Sequence, residues 1–289
     1  MTFLLGVGAQ KAGTTWLHEE LSKNANVDVG FTKEYHVHDL LTIPHMRGML
    51  LKNIQAARQI DAEASHSDIL AHMQRREFKM LSLFSRPNAY YDYFADLLAR
   101  PGIELTCDIT PSYSALSIDT LRQIKTTFER RGIPVKCVFL MRDPVERIWS
   151  ALRMQRRNKL ASMPDKKFKA SEDKAVMRIM NTKDAQMRGE YHKTLQRITA
   201  VFEPKDLYFG LYETFLKAPA QWQSFCQMTG VTLQQPDYGK HYNATQKGDD
   251  LAVDTKRAVV KTYSDVYAYL RAQHPELEID HHWPSAKLA

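Results

Sequence analysis

With 289 residues, 44% of them apolar and 25% charged, the chain has the material for one sizeable core, and its net charge of +7 points to anionic ligands. No run approaches the roughly 20 apolar residues of a membrane helix, and Met1 leads straight into a strand-like segment without a basic, cleavable leader. The three cysteines, Cys107, Cys137 and Cys226, fit neither a disulfide frame nor a zinc site, which points to buried thiols in a reducing, cytoplasmic setting.

The first element, Thr2–Val7, is a short apolar run without alternation, the pattern of a parallel strand covered on both faces. A glycine-bearing turn follows, then a helix over Thr14–Lys23 whose Trp16, Leu17 and Leu21 share a stripe. Val27–Phe31 is the second strand. Leu40–Arg100, with its apolar and aromatic residues, then interrupts the alternation and reads as a helical insertion over the sheet. Ile103–Cys107 is the third strand and Thr120–Arg131 a helix. Val135–Met141 is the fourth strand, and a helix over Pro144–Asn158 opens with Asp143 as N-cap and Pro144 at its first position. A helix over Ala185–Phe202, a strand over Leu207–Leu211 and helices over Thr214–Thr229 and Thr255–Ala272 complete the pattern, leaving His281 and His282 in a tail. Alternation of this kind predicts an α/β protein. The expectation is a single domain over residues 1–289 with an insertion at 40–100, in a three-layer, P-loop-like fold whose central parallel sheet of about five strands is flanked by helices.

The first turn raises a chemical question. In FLLGVGAQKAGTTWL, Gly8 and Gly13 keep the spacing of a phosphate-binding loop, but Thr14 stands where the next lysine belongs. The lysine comes three places early, as Lys11. A strand, a glycine turn and a helix start offer backbone N–H groups and a helix dipole to an anion, and Thr14 and Thr15 add hydroxyls. A nucleoside triphosphatase also needs a lysine after the second glycine and a partner ligand for magnesium. Here the fourth strand ends in Arg142 instead of an acidic residue, which weakens a kinase or NTPase reading.

Ligands of open parallel sheets sit beyond the carboxyl ends of the strands, and four loaded stretches fall there. The first strand delivers Lys11, Gly13, Thr14 and Thr15; the second delivers Lys33, Glu34, His36 and His38. The third delivers Asp108, Thr110 and Ser112, and the fourth Arg142 with Ser150 two turns into the next helix. An arginine fork plus a hydroxyl suits a second phosphate, so the rim suggests a nucleotide phosphorylated at two positions. Arg147 reads as an ordinary salt-bridging helix residue. A metal site from His36, His38, Asp39 and His45 is the minor alternative. From Ala151 to Lys174, eight basic residues face three acidic ones, 8 − 3 = +5. That run is either a solvated helix and loop or a rim that attracts an anion; nucleic acid is disfavoured because no aromatic residues interleave with the charges.

QKAGTTWL resembles the 5′-phosphosulfate loop of sulfotransferases, and FLMRDPVERIWSAL resembles their 3′-phosphate motif. TKEYHVHD, DITPSY, RGEYHKTLQRITAVFEPKDLYFGLYETF and NATQKG are similar in kind and order to the heparan-sulfate-type and related bacterial branch, so the resemblance runs from Phe3 to Gly248. It implies 3′-phosphoadenosine 5′-phosphosulfate (PAPS) as donor, with no metal and an unidentified acceptor hydroxyl or amine, a carbohydrate's by preference. Gln10, Lys11, Ala12, Gly13, Thr14, Thr15 and Trp16 would form the 5′-phosphosulfate loop, Arg142 and Ser150 the 3′-phosphate site, and Lys247 and Gly248 would close over the donor. Lys11 would follow the charge of the leaving group, and Glu34 would be the general base, with His36 as runner-up. The alternatives are a kinase-like phosphotransferase and a non-catalytic protein that binds nucleotide or polyanion. Two departures bear on the acceptor and the compartment. Ile109 replaces a lysine of the related glycan enzymes, and the late disulfide of their secretory-pathway members has no counterpart.

Overall fold

The structure is a computed structural model and describes residues 1–60, 63–163, 168, 170–239 and 250–289. Five strands form one sheet: β1 (Thr2–Gly8), β2 (Val27–Asp28), β3 (Leu105–Ile109), β4 (Val135–Met141) and β5 (Leu207–Leu211). Their order is β2-β3-β1-β4-β5, with every neighbouring pair parallel. β1 therefore sits at the centre, with Leu4 beside Cys107 of β3 and Lys136 of β4. All of β1, β3 and β4 except Lys136 is buried, which explains why their sequences are apolar without alternation. This order makes the carboxyl end of β1 a switch point, flanked by the loops that leave β3 and β4.

Helices flank the sheet. α1 (Thr14–Ser22) leaves the β1 turn directly. Between β2 and β3 lie α2 (Val37–Thr42), α3 (Arg47–Ala57), α4 (His66–Met73), α5 (Arg76–Ser82) and α6 (Ala89–Leu98). Of these, α6 anchors the segment by burying Tyr90, Tyr91, Phe94, Leu97 and Leu98, whereas α3 and α4 bury none of their residues. α7 (Ile118–Glu129) brings Phe128 onto Phe3 of β1, with ring centroids 4.1 Å apart, and Phe94 lies 4.8 Å from the same ring. Cutting Phe3 back to alanine would cost about 3–5 kcal/mol by emptying that position.

α8 (Pro144–Ser162) starts as the sequence indicates: Asp143 Oδ1 accepts the Val145 N–H at 2.9 Å, and Pro144 occupies the first turn. The helix runs four residues further than expected. Elsewhere apolar periodicity carried expected helices across real breaks. Ala185–Phe202 is two helices, α10 (Lys183–Gly189) and α11 (Tyr191–Thr199), preceded by α9 (Glu172–Ile179). Pro219 divides Thr214–Thr229 into α12 (Tyr212–Phe215) and α13 (Pro219–Thr229), and Tyr263 separates α14 (Val253–Thr262) from α15 (Ser264–Gln273). β2 stops at Asp28 because its carboxylate accepts the Gly30 N–H at 2.9 Å, and Gly30 turns the chain with φ 71°. The last segment is packed: Trp283 is fully buried and donates its indole N–H to Glu213 at 3.0 Å.

Candidate active site

The turn after β1 is shaped by two glycines. Gly8 has φ 132°, and a Cβ there would lie 2.9 Å from the Pro111 carbonyl oxygen. Gly13 has φ 86° at the start of α1, where a Cβ would lie 2.9 Å from Leu216 and 3.0 Å from Tyr212. Lys11 between them also has a positive φ, 70°, a conformation held by its surroundings at a strain cost. Burial pushes the Lys11 ammonium down, and the nearby charges of Arg157, Arg142, Lys33 and Arg153 add to this, leaving it at about 8. Cations gathered this closely make the turn electropositive, a setting that favours an anionic ligand. Gln10, Lys11, Gly13 and Thr15 are half-buried, and Ala12 and Thr14 are buried. The Trp16 ring packs among Phe215, Trp222 and Tyr238, so at this position it is the backbone that can meet a ligand.

β4 hands over to Arg142, whose guanidinium joins two strand ends. Its Nη1 donates to the Lys11 carbonyl at 3.2 Å, its Nη2 donates to Glu146 at 3.2 Å, and the group lies 4.6 Å over the Tyr212 ring. Among the described residues, the buried Nε has no partner. Behind it, burial raises the Glu213 carboxyl to about 7, although it accepts the backbone N–H of Asp143 and the Trp283 indole. Ser150 is half-buried on α8, and three- and four-residue spacing places Glu146, Ser150, Arg153 and Arg157 on one helix face. Arg153 stacks on Trp149 at 4.4 Å, with its buried Nε and Nη1 unpartnered among the described residues. Arg147 is not the ordinary salt-bridging helix residue expected. It is 1% exposed and donates to the Ala185 carbonyl and the Tyr263 hydroxyl, because its side of α8 faces α10 and α14.

The turn after β2 carries the carboxylate and imidazole. Lys33 donates to Glu34 at 2.7 Å; the other Glu34 oxygen lies 3.2 Å from His36 Nε2. His36 Nδ1 is 2.7 Å from Asp39, and Ser112 donates to the same Asp39 oxygen. Burial disfavours the His36 charge, but hydrogen bonds to Asp39 and Glu34 outweigh it and hold the imidazole at about 9. Burial likewise pushes the Glu34 carboxyl up, and the His36 hydrogen bond and the Lys33 charge overcome it, leaving it at about 2. At neutral pH the pair is therefore carboxylate and imidazolium. Lys33 connects this cluster to the first turn, since its charge is felt at Lys11.

Other expected residues separate from the site. Burial drives the His38 imidazole down to about 4 among Tyr90, Tyr91 and Tyr113, and His45 is exposed. The expected metal alternative is not assembled, and among the described residues no group of three His, Cys, Asp or Glu could hold an ion. Ile109 is fully buried against Gly6, so its aliphatic side chain belongs to the core of the sheet. Lys247 and Gly248 lie outside the described residues. Sequence reasoning had named Asp39 only as a possible metal ligand and Ser112 only as a strand-end hydroxyl. The Asp39 contact alone was legible, as a His-x-x-Asp step at a helix start where residues three apart meet; Ser112 arrives from the distant β3 end, which no local spacing signals.

A family model described as the sulfotransferase family matches residues 4–222. No curated protein matches the chain by sequence. Among solved structures, a sulfotransferase from Alicyclobacillus acidocaldarius is similar with a TM-score of 0.59 at 18% identity, over 94% of this chain and 95% of that one. A sulfotransferase domain from the curacin biosynthetic pathway aligns with a TM-score of 0.43 at 19% identity, over 91% and 97%. One from the Synechococcus PCC 7002 olefin synthase gives 0.41 at 15%, over 91% and 94%.

Proposed function

The chain belongs to the sulfotransferase family, and from that premise we propose that it moves a sulfuryl group from PAPS to an acceptor hydroxyl or amine without a metal. The observation that carries the donor assignment is the 3.2 Å bond from Arg142 to the Lys11 carbonyl, which joins two cationic cups at one switch point. A donor with anionic groups at both ends of one nucleoside fits such a pair, and the Arg142 Nε, unpartnered among the described residues, leaves a donor for it. Lys11, Gly13, Thr14 and Thr15 would hold the 5′-phosphosulfate; Arg142 and Ser150 would hold the 3′-phosphate. When bound, PAPS supplies an activated sulfuryl group on a phosphate leaving group.

The chain's own residues would then manage charge and one proton. Lys11 would stabilise the charge that grows on the leaving phosphate, the role for which its crowded ammonium needs an anion. Glu34 would take the acceptor's proton. A carboxylate held at about 2 is a weak base, but the hydroxyl proton becomes strongly acidic as the O–S bond forms, so a late transfer to it suffices. His36, held charged up to about 9 by two carboxylates, has no free lone pair at neutral pH and would instead orient Glu34. The three unpaired thiols support action in a reducing, cytoplasmic compartment. Among the described residues, no helix is long and apolar enough to cross a membrane.

Incubating the protein with PAPS or with ATP, against a panel of glycans, phenols, amines and lipids, tests the proposal. Release of adenosine 3′,5′-bisphosphate (PAP) with labelled product supports it; consumption of ATP alone would overturn it.

A further inference from the structure

Asp108, the fourth residue of β3, is fully buried, and no step above uses it. It is the hub of a hydrogen-bond relay. The Thr110 hydroxyl donates to one carboxylate oxygen at 2.6 Å, and the hydroxyls of Tyr90 and Tyr113 donate to the other at 2.8 and 2.9 Å. Two of these hydroxyls also face the turn after β2: Thr110 Oγ1 accepts the Tyr35 N–H at 3.0 Å, and the Tyr113 hydroxyl accepts the Val37 N–H at 3.1 Å. Tyr35 and Val37 bracket His36, which sits at φ 52° with its ring between Glu34 and Asp39. The third hydroxyl, that of Tyr90 on α6, makes no bond to the turn among the described hydrogen bonds.

We infer that Asp108 is a positioning residue: through the hydroxyls of Thr110 and Tyr113 it clamps the backbone on both sides of His36 and so sets the placement of Glu34 and His36. A carboxylate only accepts, so every hydroxyl around it must donate inward. That fixes the Thr110 and Tyr113 protons toward Asp108 and leaves their lone pairs to the two amides. The clamp also counters the cost of the left-handed His36 backbone, since a conformation of that kind persists only where its surroundings over-determine it. Burial raises the Asp108 carboxyl to about 6 against the three hydroxyl bonds, so it is mainly ionised at neutral pH, the state that the relay needs. The inference rests on the reading of Glu34 as the base and His36 as the residue that orients it.

Three variants that conserve charge test it in the full chain. Thr110→Val and Tyr113→Phe each remove one arm, whereas Tyr90→Phe removes a hydroxyl bond to Asp108 but no arm. The arm variants should lower kcat about 10- to 100-fold, with KM for PAPS and affinity for PAP unchanged, while Tyr90→Phe keeps wild-type kcat. The His36 titration, followed by NMR without turnover, should fall from about 9 toward 6.5 in the arm variants and stay in place in Tyr90→Phe. Asp108→Asn, which reverses one side of the relay, should lose kcat like the arm variants. Equal losses in Tyr90→Phe and Tyr113→Phe would reduce the relay to plain core structure and overturn the inference, as would arm variants with wild-type kcat and His36 titration. A wild-type protein that shows no PAPS turnover would sink the functional proposal, yet the NMR comparison would still decide the clamp.

Discussion

Binding of PAP, the product of the proposed donor, should depend on pH in a way set by Lys11. In the free protein burial and four nearby cations hold its ammonium at about 8 instead of 10.5, so the charged form is disfavoured there. A phosphate placed on the ammonium offsets that environment and pulls its titration back up. The complex therefore holds a proton that the free protein gives up above pH 8. Affinity should be flat from pH 7 to about 8, then weaken by up to tenfold per unit. If binding restores the full 10.5 − 8 = 2.5 units, the total loss by the end of that window is about 300-fold. Calorimetry of PAP titrations across this range, in buffers of different ionisation enthalpy, reads both the affinity and the proton taken up. Lys11→Met should bind weakly at every pH and lose the slope, which separates Lys11 from the His36 titration nearby. A wild-type affinity that stays flat to pH 10, or a slope that survives in Lys11→Met, would refute the reasoning.

Glu34→Gln should cut kcat by about 10²- to 10⁴-fold in a PAPS turnover assay while leaving PAP affinity by calorimetry within error of wild type; full turnover would remove Glu34 as base. Arg142→Lys loses the planar fork, and Ser150→Ala loses a hydroxyl. Each should weaken PAP about tenfold or more and adenosine 5′-phosphosulfate, which lacks the 3′-phosphate, far less, in competition binding. His36 titrates at about 9 folded and near 6.5 unfolded, so its contribution to stability is complete below pH 6.5 and vanishes as pH rises through 9. Wild type should therefore exceed His36→Gln by about 3 kcal/mol more at pH 6 than at pH 10 in denaturant unfolding.

The middle of the sheet was legible because β1, β3 and β4 are buried on both faces, although β3 was read two residues early, as Ile103–Cys107 instead of Leu105–Ile109. β1, β4 and β5 came out as apolar runs, within one residue of their observed ends. β2 was read three residues too long because Val29 and Phe31 are apolar, while the Asp28–Gly30 turn that stops the strand depends on a side-chain hydrogen bond. Helix breaks at Glu190 and Tyr263 were invisible, since hydrophobic periodicity runs across both. Arg147 misled because charge alone looks solvent-facing; its burial depends on Tyr263, more than a hundred residues away. At the site, residue types and the order of strand ends brought Lys11, Glu34, His36, Arg142 and Ser150 to one rim. The geometry that sequence could not supply is tertiary: Arg142 reaching the Lys11 carbonyl, and Ser112 and Asp39 meeting on His36.

The two-cup account is tested most directly by a crystal structure of the protein with PAP. The account expects one phosphate on the Lys11–Thr15 turn and the other between Arg142 and Ser150, with the Lys11 ammonium on the former. Nucleotide seated elsewhere, or a saturating soak that leaves both cups without phosphate density, would contradict it.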